Sequence, residues 1–269
     1  MTSGASFNVQ PRVLFELGRV SNLPTVWSNA LAGYVLGLWI MVDGARDVVM
    51  GHGALVLPDS LRDGWALLAG FSLIYLGGMA MNDAMDAPTD ARERPSRPIP
   101  AGEISRRAAT YAVIALLLAG LALLEWHRRT TPGSEPWVLV GGLALVVTVQ
   151  AYNMLHLHTA GAVVLMAMCR GLVTLTAGVA VYGPPTGSNA WMLPALACAV
   201  AGWTLMISLF ARGEDVAGPG RKRLVMGLIA GIPVVDALAM SAIGQGWVAA
   251  FCLACALLAL AGQRRIAGT

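Results

Sequence analysis

The chain has 269 residues, of which 57% are hydrophobic and only 12% charged, with a mean hydropathy of +0.66 and a net charge of +3. So few polar side chains cannot cover a water-soluble domain of this size, which excludes an ordinary soluble enzyme and leaves a polytopic membrane protein. No basic face interleaved with aromatics is present, so nucleic acid is not an expected partner.

Residues 1–20 lack the apolar core of a cleavable leader, and the first apolar run is long enough to stay in the bilayer as a spanning helix. Runs of spanning length fall near 23–42, 65–82, 107–126, 136–153, 160–182, 190–210, 222–243 and 246–263. They predict an all-α fold of about eight transmembrane helices in a single domain, residues 1–269. The shortest divisions are the turns at 155–159 and 243–246. At the start of the first run, Asn22 and Asn29 bracket Pro24. Asn22 there either caps the helix or offers a polar contact to phosphate.

The second run leads into an island of charge, Asn82 to Gly102, NDAMDAPTDARERPSRPIPAG. Asn82, Asp83, Asp86 and Asp90 fall at i, i+1, i+4 and i+8. If the apolar helix continues for two turns, Asn82, Asp86 and Asp90 stack on one face with Asp83 beside them. Crowded carboxylates repel unless a cation sits among them, and an all-oxygen set suits Mg²⁺, which keeps waters and binds phosphate oxygens at the same time. Asp83 to Asp90 therefore reads as a Mg²⁺-diphosphate cradle. Arg92, Arg94 and Arg97 supply planar donors for a second grip on phosphate, and Pro95, Pro98 and Pro100 place them on a stiff loop beyond the helix end.

Later runs carry fewer polar groups. His156 and His158 follow Tyr152-Asn153; at i, i+2 they diverge on a helix and make a poor chelating pair, which leaves a proton-accepting role or an interfacial turn as open readings. Arg170 is the one basic residue inside a predicted span. It faces either a wet cavity or a partner, Glu125 or Asp236. Cys169, Cys198, Cys252 and Cys255 all lie in apolar runs and read as packing residues. A second polar loop, Arg212 to Arg221, holds only Glu214 and Asp215 as acids; adjacent helical positions point about 100° apart, so one of them faces the first cradle, with Asp215 preferred because it lies nearer the flexible Gly218-Pro219-Gly220.

Charge bias sets the orientation. With the N-terminus inside, thirteen of the basic residues gather on the inner side, among them Arg19, Arg92, Arg94, Arg97, Arg106 and Arg212, against Arg46, Arg62, Arg128 and Arg129 outside. Both termini and both acidic loops are then cytoplasmic, in the cell's inner membrane. Each acidic loop follows the second helix of a four-helix half, the pattern of a parallel repeat whose loops face one another across a central cavity.

These residues carry a resemblance. Asn82–Asp90 resembles the NDxxDxxxD motif of the UbiA-type prenyltransferase superfamily, SRPIPAGEIS at Ser96–Ser105 is similar to its continuation, and RVSNLPTVWSNALAG at Arg19–Gly33 is similar to the family's first-helix segment. The resemblance implies an integral-membrane transferase that moves an isoprenoid from its diphosphate to an aromatic or other lipophilic acceptor. Asp83, Asp86, Asp90 and Asp215 would be catalytic, with Mg²⁺ held by these and Glu214. Asn22, Asn82, Arg92, Arg94, Arg97, His156 and Arg212 would bind the diphosphate. Three departures stand out: the family's nine helices are eight here, its second motif, roughly DxxxD, is reduced to Glu214-Asp215, and its basic residue after the fourth helix is replaced by His156 and His158. The other readings are a same-fold enzyme with another diphosphate donor, for phosphoribosyl transfer or terpene cyclisation, and a carrier or assembly protein descended from such an enzyme.

Overall fold

The computed structural model describes residues 11–46, 58–156, 161–211 and 219–265, and among these every regular element is helical. A short α1 (Pro11–Leu17) and one 3₁₀ turn (Val20–Asn22) precede α2 (Leu23–Arg46), α3 (Pro58–Glu93), α4 (Arg106–Thr130) and α5 (Trp137–Leu155). The second half comprises α6 (Ala162–Gly178), α7 (Met192–Ala211), α8 (Pro219–Ala230), α9 (Ile232–Ala242) and α10 (Gly246–Arg265). The eight apolar runs are all present. Their limits differ in three places: the second run continues to Glu93, the fifth is a 17-residue helix, and the seventh breaks at Gly231, where Pro233 in the first turn of α9 has no amide to continue the ladder of α8. Seven helices among the described residues are long and apolar enough to cross a bilayer. At about 25 Å, α6 is at the short end of the same range.

The packing is that of a membrane bundle. Tyr111 and Leu257, 72% and 68% exposed, are two of many large apolar side chains on the outside, a surface that water would not tolerate but acyl chains would. This is an integral membrane protein. Its hub is α2, which touches α3, α6, α7, α9 and α10 and is the most thoroughly buried span. Close approach of α2 to α6 depends on Gly33 and Gly37, a small-xxx-small pair: a Cβ at Gly33 would run into the carbonyl oxygen of Thr174, and one at Gly37 into that of Gly178.

The long α3 positions the polar motif. Counted from Gly64, where its apolar part begins, Asp83 lies about 29 Å along the axis, close to one hydrocarbon thickness, and Asp90 about 10 Å further. The helix holds through Pro88, which removes one amide and leaves the Ala84 carbonyl without its usual partner. Arg106 replaces it: its Nε donates to Ala84 O at 2.7 Å. After Glu93 the chain folds back in tight turns, with Arg94 N donating to Asp90 O, Ala101 N to Arg97 O and Glu103 N to Pro98 O. A small apolar cluster of Val13, Leu17, Ala84, Ile104 and Ala109 ties α1, the end of α3, this loop and the start of α4 together. Ser105 then caps α4 by accepting from Ala108 N at 3.1 Å.

Candidate active site

Asn82, Asp83 and Asp90 are buried at 7%, 7% and 4% exposure, an unusual depth for carboxylates unless they are paired. Two separate clusters satisfy them. In the first, Nη1 of Arg97 donates to Oδ1 of Asp83 at 3.1 Å and to Oδ2 of Asp90 at 2.8 Å, with Nη2 of Arg19 also 3.7 Å from Asp83 Oδ1. In the second, Asp86 Oδ2 accepts from Asn82 Nδ2 at 2.7 Å and Asp86 Oδ1 lies 2.8 Å from His156 Nε2. The other ring nitrogen of His156 is 3.0 Å from the carbonyl oxygen of Asn153. Both ring nitrogens thus have an oxygen within hydrogen-bond distance, which fixes the orientation of the ring against Asp86.

Two carboxylates seven residues apart converging on a single guanidinium nitrogen form a point where a cation is wanted. Their donor set is all oxygen and anionic, which suits a hard divalent ion. Among the described residues no group of three acidic, His or Cys side chains is preset around a metal position, since Arg97 and His156 occupy the carboxylates.

Beside this cluster opens a cavity of about 970 Å³. Its upper wall carries Arg19, Asn22, Tyr152, His156, Arg223, Gln263 and Arg264, and its deeper wall Tyr75, Met79, Met166, Arg170, Ile207 and Ile232. A polar mouth above an apolar chamber suits an amphipathic substrate with a charged head.

The expected site residues are therefore only partly gathered. Asp83, Asp86, Asp90, Asn82, Arg97 and His156 lie together; Asn22 lines the cavity, where its Oδ1 accepts from Gln263 Nε2 at 2.9 Å. Arg92 belongs to the last turn of α3 and is solvent-exposed, so the expectation that it sits on the loop with Arg97 is corrected. The chain turns through Arg94 and Arg97 by backbone hydrogen bonds, and the side chain of Arg97 reaches back over α3 to Asp83 and Asp90. Arg212, Glu214, Asp215 and His158 lie outside the described residues. Neither expected partner pairs directly with Arg170: Glu125 is taken by Arg128 and Arg129 on its own helix, and Asp236 is reached only through Asn29. Two residues of the site were not singled out from the sequence. Arg19 stands beside Asp83 because a left-handed backbone, φ 43°, turns it back between α1 and the 3₁₀ turn, and Arg106 supports the motif helix from beneath. A proline within a helical motif is the signal that could have pointed to Arg106, because a donor must be found for the carbonyl four residues earlier.

Comparison with known proteins decides the family. Residues 48–267 match the UbiA prenyltransferase family. The chain belongs to it. Digeranylgeranylglyceryl phosphate synthase of Methanoregula boonei is 37% identical over 118 residues, 42% of this chain and 41% of that protein. The namesake from Methanothrix thermoacetophila is 46% identical over 107 residues, 40% of this chain and 34% of its own length. The chain thus matches well under half of the length of these curated relatives. The fold extends further than the sequence match: a digeranylgeranylglyceryl phosphate synthase structure superposes with a TM-score of 0.54 over 95% of this chain and 97% of that one at 15% identity. A UbiA homologue from Archaeoglobus fulgidus bound to DMAPP and Mg²⁺ gives 0.53 over 92% and 85% at 14% identity. These show that the bundle described above is the UbiA fold.

Proposed function

We propose that this UbiA-family protein is a Mg²⁺-dependent prenyltransferase that moves an isoprenyl group from its diphosphate to a lipophilic acceptor inside the membrane. The observation that carries the reading is the convergence of Asp83 and Asp90 on one cationic nitrogen, beside an amphipathic cavity that Arg19 and His156, the neighbours of Asp83 and Asp86, line. Asp83, Asp86 and Asp90 would hold Mg²⁺, which when bound neutralises diphosphate oxygens and makes them a better leaving group. Arg97 and Arg19, released from their carboxylates, reach the same oxygens as bidentate donors. The bond from C1 of the isoprenoid to the diphosphate oxygen breaks, the acceptor nucleophile forms its bond to C1, and the acceptor's proton leaves to water at the mouth. Tyr75, Met79, Met166, Ile207 and Ile232 line the chamber for the isoprenoid and keep water from capturing C1 first. Asn82 and His156 keep Asp86 oriented. The resemblance to digeranylgeranylglyceryl phosphate synthases favours a prenyl donor over phosphoribosyl transfer.

The direct test is purified protein in nanodiscs with Mg²⁺, isoprenyl diphosphates of several lengths and a mixture of aromatic and lipid acceptors. Pyrophosphate release that needs both acceptor and Mg²⁺, and stops with chelator, is expected; release that needs neither, or no release with any pair, would rule out prenyl transfer.

The orientation follows from the same reading, with the motif facing the cytoplasm, where diphosphates and Mg²⁺ are found. Single cysteines at Pro95 and Gly133 are expected to react with an impermeant maleimide from opposite sides, Pro95 from the cytoplasmic one. Labelling of both from one side would overturn this topology.

A further inference from the structure

Below the acidic motif, one face of α3 continues as two rows at a spacing of four: Asp83, Met79, Tyr75 and Phe71, and beside them Asn82, Gly78 and Ile74. Along these rows runs a slot that branches from the main cavity, with which it shares Tyr75, Met79, Tyr152 and Met166. Its opposite wall is α5, from Asn153 at the top to Leu145 at the bottom, and α6 closes the side down to Val173. Met79 and Phe71 are eight residues apart, as are Asn153 and Leu145, so both walls give the slot a length of about 12 Å. At about 70 Å³ it has room for about five water-sized spheres, which over that length is single file. Phe71, Leu145 and Val173, all buried, form the floor. Gly78 leaves the width open: a Cβ there would lie 2.9 Å from Cγ1 of Val149, closer than carbon atoms pack. Asn153 fixes the same approach of α3 and α5, its Nδ2 donating to Gly78 O at 3.4 Å.

We propose that this slot takes the tail of the isoprenyl donor and that its floor, with Phe71, limits the donor to about three isoprene units. The proposal rests on prenyl transfer for the identity of the donor and adds the length of chain that is accepted. An apolar void loses contacts along its lining, and a single hydrocarbon chain of the same width restores them. The direction of the tail comes from α3: a diphosphate held at Asp83 and Asp86 has Met79, at the top of the slot, about 6 Å beneath it along the helix axis. Four carbon–carbon bonds of about 1.5 Å, drawn out, carry one isoprene unit over about 5 Å. The first unit stays in the chamber, where C1 reacts, and about two more fill the slot down to Phe71. A fourth unit has to displace Phe71, which is packed in the main core, or leave the slot altogether.

The test measures binding without turnover, on the full chain in nanodiscs with Mg²⁺, after subtraction of binding to empty nanodiscs. The probes are the non-hydrolysable thiodiphosphates of dimethylallyl, geranyl, farnesyl and geranylgeranyl chains. Affinity is expected to rise by roughly tenfold for each unit up to farnesyl and to fall by roughly tenfold at geranylgeranyl. Gly78→Val fills the slot, where the atom it meets is a methyl tip that can turn aside, and is expected to flatten the series. Phe71→Ala deepens the slot and is expected to move the optimum to geranylgeranyl. Should either variant give no monodisperse peak on size exclusion, a farnesyl thiodiphosphate with a diazirine at the far end of its tail locates that end in the wild type. Crosslinks to α3 near Phe71 or to α6 near Val173 are expected. A wild-type series that is flat or keeps rising to geranylgeranyl, a slope that survives Gly78→Val, an optimum that Phe71→Ala leaves at farnesyl, or crosslinks confined to α7, α8 or α10 each overturn the slot, while Mg²⁺-dependent binding leaves the donor site standing. No Mg²⁺-dependent binding of any probe overturns the donor site and the slot together.

Discussion

Asp83→Asn and Asp90→Asn are each expected to lower turnover by roughly a hundredfold to a thousandfold while leaving the protein folded. Each substitution is isosteric and keeps an oxygen that can accept from Arg97, so the loop over α3 stays in place. What disappears is one negative charge from the point where the two carboxylates converge. On the proposed function a divalent ion would then have one anionic ligand fewer, and the diphosphate charge would be less well compensated when it leaves. Removing a carboxylate from a crowded group also relieves repulsion, so the melting temperature is expected to hold or rise. Turnover measured over a Mg²⁺ titration, beside thermal unfolding in the same nanodiscs, checks both parts. Full activity in both variants at every Mg²⁺ concentration would mean that the pair serves only to bind Arg97.

Gly37→Val is expected to abolish folded protein. The first carbon of any side chain at Gly37 meets the backbone carbonyl of Gly178, and a backbone atom in the buried last turn of α6 cannot swing aside as a side-chain tip can. Overpacking a core typically costs about 1–3 kcal/mol where neighbours can adjust. Here α2 would have to part from α6, which disrupts the helix that α3, α6, α7, α9 and α10 pack against. Gly202→Ala is the matching control: a Cβ there meets nothing within 4 Å, and Ala is the better helix former. A monodisperse peak on size exclusion for the Gly202 variant and none for the Gly37 variant is the expected result; equal yields would show that α2 and α6 can separate without loss.

Much of the helical plan could be read without coordinates because it depends on local quantities. A run of about twenty apolar residues has only one way to satisfy its backbone in lipid, so the all-helical plan followed from hydropathy, while the break of the seventh run at Gly231 did not. The spacing of Asn82 and Asp86 brought them together for the same local reason, helical periodicity, whereas Asp90 groups with Asp83 on Arg97 and not with Asp86. Less legible was where α3 stops. Pro88 argues locally for a break, and the helix survives because a donor from α4, Arg106, takes the carbonyl that Pro88 leaves free.

Pairings across the bundle lay wholly beyond sequence. His156 meets Asp86 seventy positions away, Arg170 meets Asn29 across 141, and Asn29 meets Asp236 across 207. Each depends on how helices rotate about their axes and how closely they approach, which is set by small residues such as Gly33 and Gly37 through excluded volume rather than by any periodic signal. Composition and spacing by themselves determined a membrane bundle with an acidic, cation-seeking motif at the end of one long helix, since water, lipid and the helical repeat act on each segment independently. Which cation each carboxylate holds, and that Arg170 is left facing the cavity with most of its donors unspent, were decided only by tertiary packing, because those contacts exist only once several helices share one space.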